Sequence, residues 1–153
     1  MINSNEIPQD VNSGEVVQII TNKVNYFTHG FFKYPCKFIP NVPKWAIQKY
    51  TKKGDLVLDP FAGSGTTLVE AILNKRDAIA IDFDTLSQLL CKVKTTNLSS
   101  KQLKKIEEFW DTVNFKKKSN NKYLPDLHNT NHWFPEENIH KLLILRESIE
   151  EYY

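Results

Sequence analysis

The chain has 153 residues, enough for one modest domain, and a formal net charge of +2. A balance so near neutral neither demands nor excludes a nucleic-acid partner, because local patches decide that. Two cysteines, Cys36 and Cys91, are too few for a disulfide framework or a zinc cluster, and no apolar run is long enough to span a bilayer, so a reduced, cytoplasmic compartment is expected.

The polar stretch Met1 to Gly14 reads as a lead-in, and Val16 to Ile20 as a short strand. Pro35, Pro40 and Pro43 keep the aromatic-rich segment Tyr26 to Pro43 out of any regular helix. Pro43 then suits the first position of a helix through Trp45, Ile47 and Tyr50, which Gly54 ends. Leu56-Val57-Leu58 is a continuous apolar run between a glycine turn and Asp59, the pattern of a strand buried on both faces. A loop over 59–65 leads into a helix from about Thr66 to Asn74, with Leu68, Val69, Ile72 and Leu73 inward. Ala78 to Ile81 is a second buried strand, and Thr85 to Lys94 a second helix capped by Asp84. That order predicts a parallel strand pair, the first unit of a Rossmann-like sheet.

Lys101 to Val113 has Leu103, Ile106, Phe109 and Trp110 at helical spacing. Lys116 to Lys122 reads as a basic loop, and a last helix starts near Pro135 with Ile139, Leu142, Leu143, Leu145 and Ile149. Three regions are therefore expected: a lead-in over 1–25, an α/β region over 26–98 and a helical extension over 99–153.

The chemistry sits in the loop Asp59-Pro60-Phe61-Ala62-Gly63-Ser64-Gly65-Thr66-Thr67. Its glycines allow a sharp turn and close approach to a ligand, at the carboxyl end of the first strand where a parallel sheet places its ligand crevice. The next strand runs into Asp82, at the spacing from which a carboxylate reaches ribose hydroxyls. Phe83 either lies against an adenine ring or packs in the core. These features call for an adenosine-containing ligand without separating a dinucleotide from S-adenosylmethionine. Two departures then favour the latter. The three-glycine dinucleotide fingerprint is not met, and Asp59 suits a cationic sulfonium and α-amino group better than a pyrophosphate.

Asp59 to Thr67, with Leu56-Val57-Leu58 before and Glu70-Ala71 after, resembles the first motif of the amino-methyltransferases, DNA enzymes acting on adenine N6 or cytosine N4. The segment His29 to Pro40 resembles the motif that precedes it in that family, and Ala80-Ile81-Asp82 the ribose-binding motif; the likeness covers roughly His29 to Lys94. It implies an α/β Rossmann-like methyltransferase fold that binds S-adenosylmethionine, with Phe61 and Gly63 lining the methionine end and Asp82 holding the ribose. It also implies that Lys37 and Phe38 close the pocket. From the residues alone, Lys37 could equally be a surface charge and Phe38 core.

The family's catalytic motif, a polar residue followed by two prolines and an aromatic, has no counterpart, because the chain contains no Pro-Pro pair. With only two central strands legible, the fold is expected to be incomplete. The chain reads as the cofactor-binding portion of a DNA methyltransferase of a restriction-modification kind, inactive by itself. A missing segment, a partner chain or self-association would complete it, and the abrupt Tyr152-Tyr153 after an apolar helix favours something missing C-terminally. The rivals are part of an RNA guanine-N2 methyltransferase, and a non-catalytic remnant or regulatory subunit. No metal site is expected, since Asn, Thr and Pro surround His128 and His132. Lysines between Lys101 and Lys122 read as a solvated face, Trp110 and Trp133 as core or interface anchors, and both cysteines as inert buried thiols.

Overall fold

Leu56–Asp59 (β1) and Asp77–Ala80 (β2) pair in parallel, with Leu56 opposite Asp77, Val57 opposite Ala78, Leu58 opposite Ile79 and Asp59 opposite Ala80. Thr66–Leu73 (α2) joins them, preceded by Asn41–Tyr50 (α1) and followed by Thr85–Thr95 (α3). The computed structural model describes residues 12–119 and 129–152 apart from positions 17, 20 and 22. They fall into two compact units, up to Asn97 and from Leu98 onward.

In the first unit, side chains alternate across the pleat. Ala78 and Ala80 pack against Ala62, Leu68 and Cys91, so this face carries the core. The opposite face exposes Leu56 and Leu58 by 60% and 58%, and Ile79 and Ile81 by 47% and 55%. This corrects the expectation of strands buried on both faces. An apolar run reports what each strand face prefers, while among the described residues up to Asn97 the buried cover comes from α2 and α3 on one face.

The α2 face is also rotated from the expected one. Leu68, Val69, Glu70 and Ala71 are buried, whereas Ile72 and Leu73 are exposed. The cause is the segment before α1. Tyr26 Oη and His29 Nε2 both donate to Glu70 Oε1, His29 at 2.9 Å, and they cover that side of the helix. Burial and the Glu70 charge push the Tyr26 hydroxyl's pKa up.

Boundaries shift for local reasons. Helix α1 starts at Asn41 after Pro40, placing Pro43 third, still within the turn whose N–H groups need no intrahelical partner. It stops at Tyr50, before Gly54, because Thr51 is extended and is held by Arg76, whose Nε donates to Thr51 Oγ1 at 2.9 Å and Nη2 to its carbonyl at 2.6 Å. Gly54, at φ +87°, instead turns the chain into β1. Strand β2 begins and ends one residue earlier than expected. At Val16 to Ile20, positions 17 and 20 lie outside the described residues; Val16, Gln18 and Ile19 form no strand, and Val16 is 95% exposed. Asp84 does cap α3, accepting from Ser87 N at 3.0 Å.

The second unit contains Ser100–Thr112 (α4), the short Thr130–Trp133 (α5), which was not foreseen, and Glu136–Tyr152 (α6). A reciprocal capping box between Ser99 and Gln102 starts α4. Phe109 meets Tyr152 edge-on at 5.1 Å between ring centroids, and Leu143 and Ile144 of α6 are buried. Trp110 and Trp133 are 51% and 70% exposed, so neither is a core anchor. His128, Lys122 and Tyr153 lie outside the described residues. Among the described residues, no helix is long and apolar enough to cross a membrane.

Candidate functional site

The loop after β1 closes through backbone bonds that leave little freedom. Gly65 N donates to Ala62 O at 2.8 Å, and Ala62 N to Ile81 O at 3.1 Å, tying the loop to the strand end beside it. Gly63 and Gly65 have φ of +49° and +74°, the left-handed region that glycine adopts without penalty. At Gly65 a Cβ would also lie 3.0 Å from Cys91 Sγ and 3.3 Å from Cys91 Cα, so α3 packs flush against the backbone.

Asp82 meets this loop directly. Its Oδ2 accepts from Gly63 N at 2.7 Å, and its Oδ1 accepts from Asp84 N at 3.0 Å. Each oxygen retains a further lone pair, so the carboxylate is oriented yet still able to accept from a diol. Asp59 Oδ1 accepts from Phe61 N at 3.1 Å. Phe61 and Phe83, 88% and 96% exposed, stand clear of the fold on either side of Asp82 in sequence. Phe83 therefore does not pack in the core.

The other loop residues divide by burial. Pro60 is exposed, Thr67 partly so, and Ala62, Ser64, Gly65 and Thr66 are buried. Ser64 Oγ lies 3.4 Å from Thr66 Oγ1. Lys94 reaches from α3 to donate to Ser64 O at 2.6 Å. Its ammonium is buried, and burial, then the nearby Lys37 charge, lowers its pKa. Burial, then the Asp82 charge, raises the Cys91 pKa. Cys91 is thus the buried thiol expected, but Cys36 is exposed, a correction that follows from its place in an irregular segment at φ +57°.

Lys37 and Phe38 face different neighbours. Lys37 Nζ donates to His29 O at 2.9 Å. Phe38 is 63% exposed rather than core, and lines a cavity of about 500 Å³ with Ile47, Tyr50, Leu58 and Thr67. Sequence reasoning missed Tyr34, whose hydroxyl lies 2.8 Å from Ser87 Oγ and whose ring approaches Gly63. It also missed Ser87 and Lys94 as buried polar groups. Their signal was their spacing, seven residues apart on the stripe that carries Leu90 and Cys91.

Among known proteins, the DNA methylase model (N6_N4_Mtase) matches residues 4–87, and the RMKL-like methyltransferase domain matches residues 49–133. The chain therefore belongs to the DNA methylase family. It is similar to the type II methyltransferase M.MvaI of Kocuria varians, 28% identical over 92% of this chain and 33% of that protein. It also resembles the type II methyltransferase M.MjaII of Methanocaldococcus jannaschii, 37% identical over 51% of this chain and 15% of that protein. Among solved structures, M1.HpyAVI in complex with SAM aligns at a TM-score of 0.41 and 29% identity, covering 42% of this chain and 32% of that one. The chain spans a third or less of the length of these relatives.

Proposed function

We propose that this chain is the S-adenosylmethionine-binding part of a DNA methyltransferase that modifies an exocyclic amino group, adenine N6 or cytosine N4. The observation that carries the reading is the pairing of Gly63 N–H with the Asp82 carboxylate at the adjoining ends of two parallel strands. In this reading Asp82 holds the ribose diol and Phe83 lies against the adenine. Asp59, Pro60, Phe61 and Gly63 line the methionine end, with Thr67, Lys37 and Phe38 at its margin. Ala62, Ser64, Gly65 and Thr66 hold the loop's shape from beneath.

An amino nitrogen on a base is a poor nucleophile, since its lone pair is delocalised into the ring. Transfer therefore needs acceptors at that nitrogen and a surface for the flipped base. No Pro-Pro-aromatic sequence is present to supply them. Binding the cofactor without positioning the acceptor stabilises the ground state and leaves the barrier nearly unchanged. The base-contacting groups belong to a further segment or a partner chain, and the DNA is engaged by the completed enzyme. Type II methyltransferases among the relatives support a restriction-modification setting. Two free cysteines, one of them exposed, support a reducing cytoplasm.

Calorimetric titration with S-adenosylhomocysteine tests the reading. Saturable binding is expected, and Asp82→Ala should weaken it by about 1.5–3 kcal/mol through lost charge-assisted hydrogen bonds. A folded sample that binds nothing at millimolar ligand overturns the proposal.

A further inference from the structure

We infer that Tyr34 is a positioning residue for the cofactor site, locking the glycine loop to the acidic loop that follows β2. The inference rests on the cofactor reading above and adds a residue from outside both loops. Tyr34 lies in the irregular segment before α1, where no periodicity marks it. Its hydroxyl is 2.8 Å from Ser87 Oγ. Ser87 is buried and its own hydroxyl donates to Asp84 Oδ2 at 3.0 Å. A serine hydroxyl carries a single proton, so Tyr34 O–H must be the donor to Ser87. The order of donation is therefore Tyr34 to Ser87 to Asp84.

The same tyrosine flanks the other loop. Its Cε1 lies 3.4 Å from where a Cβ would stand on Gly63, and its ring edge walls the side of that residue. Gly63 N in turn donates to Asp82 Oδ2, and Asp82 Oδ1 receives Asp84 N. Hydrogen bonds link Gly63, Asp82, Asp84, Ser87 and Tyr34 in turn, and the Tyr34 ring flanks Gly63 to complete the circuit. Each other member is held by one of the two loops or by the start of α3. Tyr34 alone comes from a separate stretch of chain and bridges the gap between them.

That bridge is anchored firmly. Thr28 Oγ1 donates to Lys94 O at 3.1 Å, and His29 is bound to Glu70, so the segment carrying Tyr34 is fastened to both α2 and α3. With the separation of the loops set in this way, the free lone pairs of Asp82 are aimed before any ligand arrives. Affinity then depends on that pre-organisation, because a loop already held in place loses less freedom on binding.

The test uses the 153-residue chain, with Tyr34→Phe, Ser87→Ala and the double variant. S-adenosylhomocysteine affinity is measured by calorimetry, and the Gly63 amide proton shift by NMR without ligand. Each single variant should weaken binding roughly threefold to tenfold, the range of one neutral hydrogen bond, and the double variant no further. Each should also move the Gly63 amide upfield as its bond to Asp82 loosens. A merely structural tyrosine would lower the melting temperature while leaving the folded protein's affinity and Gly63 shift untouched, and that result overturns the inference. Fully additive penalties overturn it as well. If Tyr34→Phe does not fold, Ser87→Ala removes the same bond from its other end together with the Ser87 bond to Asp84, so unchanged affinity and an unchanged Gly63 shift in it overturn the inference, and a loss of affinity with a moved Gly63 shift supports it. If the wild-type chain binds no S-adenosylhomocysteine, the cofactor reading fails, while the Gly63 shift still shows whether Tyr34 sets the loop geometry.

Discussion

The two faces of the small sheet are built from the same four-residue strands, yet one is finished and the other is not. On the finished face, Ala78 and Ala80 meet Leu68, Ala62 and Cys91, and beyond them Glu70, Ser87 and Lys94 are buried with hydrogen-bond partners. On the open face, Leu56, Leu58, Ile79 and Ile81 remain largely exposed. The chain's own sequence therefore supplies stability on the first face and offers surface on the second. Buried polar side chains are costly unless satisfied, so the finished face specifies one arrangement of loop and helices. Contiguous exposed aliphatic side chains specify nothing by themselves and favour association.

The largest expected effect is on the finished face, at Gly65. Gly65→Val would place a β-branched side chain in a left-handed conformation, with its Cβ against Cys91. It should cost about 2–4 kcal/mol from the conformational penalty and overpacking together, read by urea unfolding. Cofactor affinity should vanish with it. A variant of wild-type stability would mean that α3 does not press on the loop as described.

A smaller loss is expected at Glu70. Glu70→Ala strands His29 Nε2 in a buried setting and the Tyr26 hydroxyl in a half-buried one, at about 1–3 kcal/mol. Glu70→Gln, which keeps an acceptor, should recover part of it. Equal stability of the Ala and Gln variants would show that the carboxylate cluster does not hold the upstream segment.

The smallest effect on stability should come from the open face. Leu58→Asp should lower unfolding free energy by no more than about 1 kcal/mol, the span of strand preference at a half-exposed position. It should nonetheless reduce self-association of the wild-type chain in light scattering. A strictly monomeric wild-type chain would mean that this face does not seek cover in a second copy. A strongly destabilised Leu58→Asp would show that the face is packed after all.

Much of this was legible beforehand, for physical reasons that can be named. The strand, glycine loop and helix from Leu56 to Leu73 announce themselves because glycine adopts the required φ without penalty and because apolar runs end sharply at Asp59. Asp84 as a cap was legible because a carboxylate before a helix has one obvious partner, the N–H of the third residue on. The facing of α2 was not, since Leu68, Val69, Ile72 and Leu73 make a better helical stripe than the one used. That stripe lost to a tertiary contact: Tyr26 and His29, some forty residues upstream, draw Glu70 inward. Tyr34 was hidden for the same reason, as a side chain in an irregular segment whose partners become neighbours only when the chain folds. The open face was misread because an apolar strand looks alike whether its cover is present or awaited.

Amide NMR of the chain titrated with S-adenosylhomocysteine tests whether the paired loops of Gly63 and Asp82 hold an adenosyl ligand. The amides of Phe61, Gly63, Asp82 and Phe83 should shift together along one saturating curve, while those of Leu56 and Ile79 stay in place. Shifts confined to the open face, or none at the Gly63 and Asp82 amides when binding is saturated, would contradict that placement of the ligand.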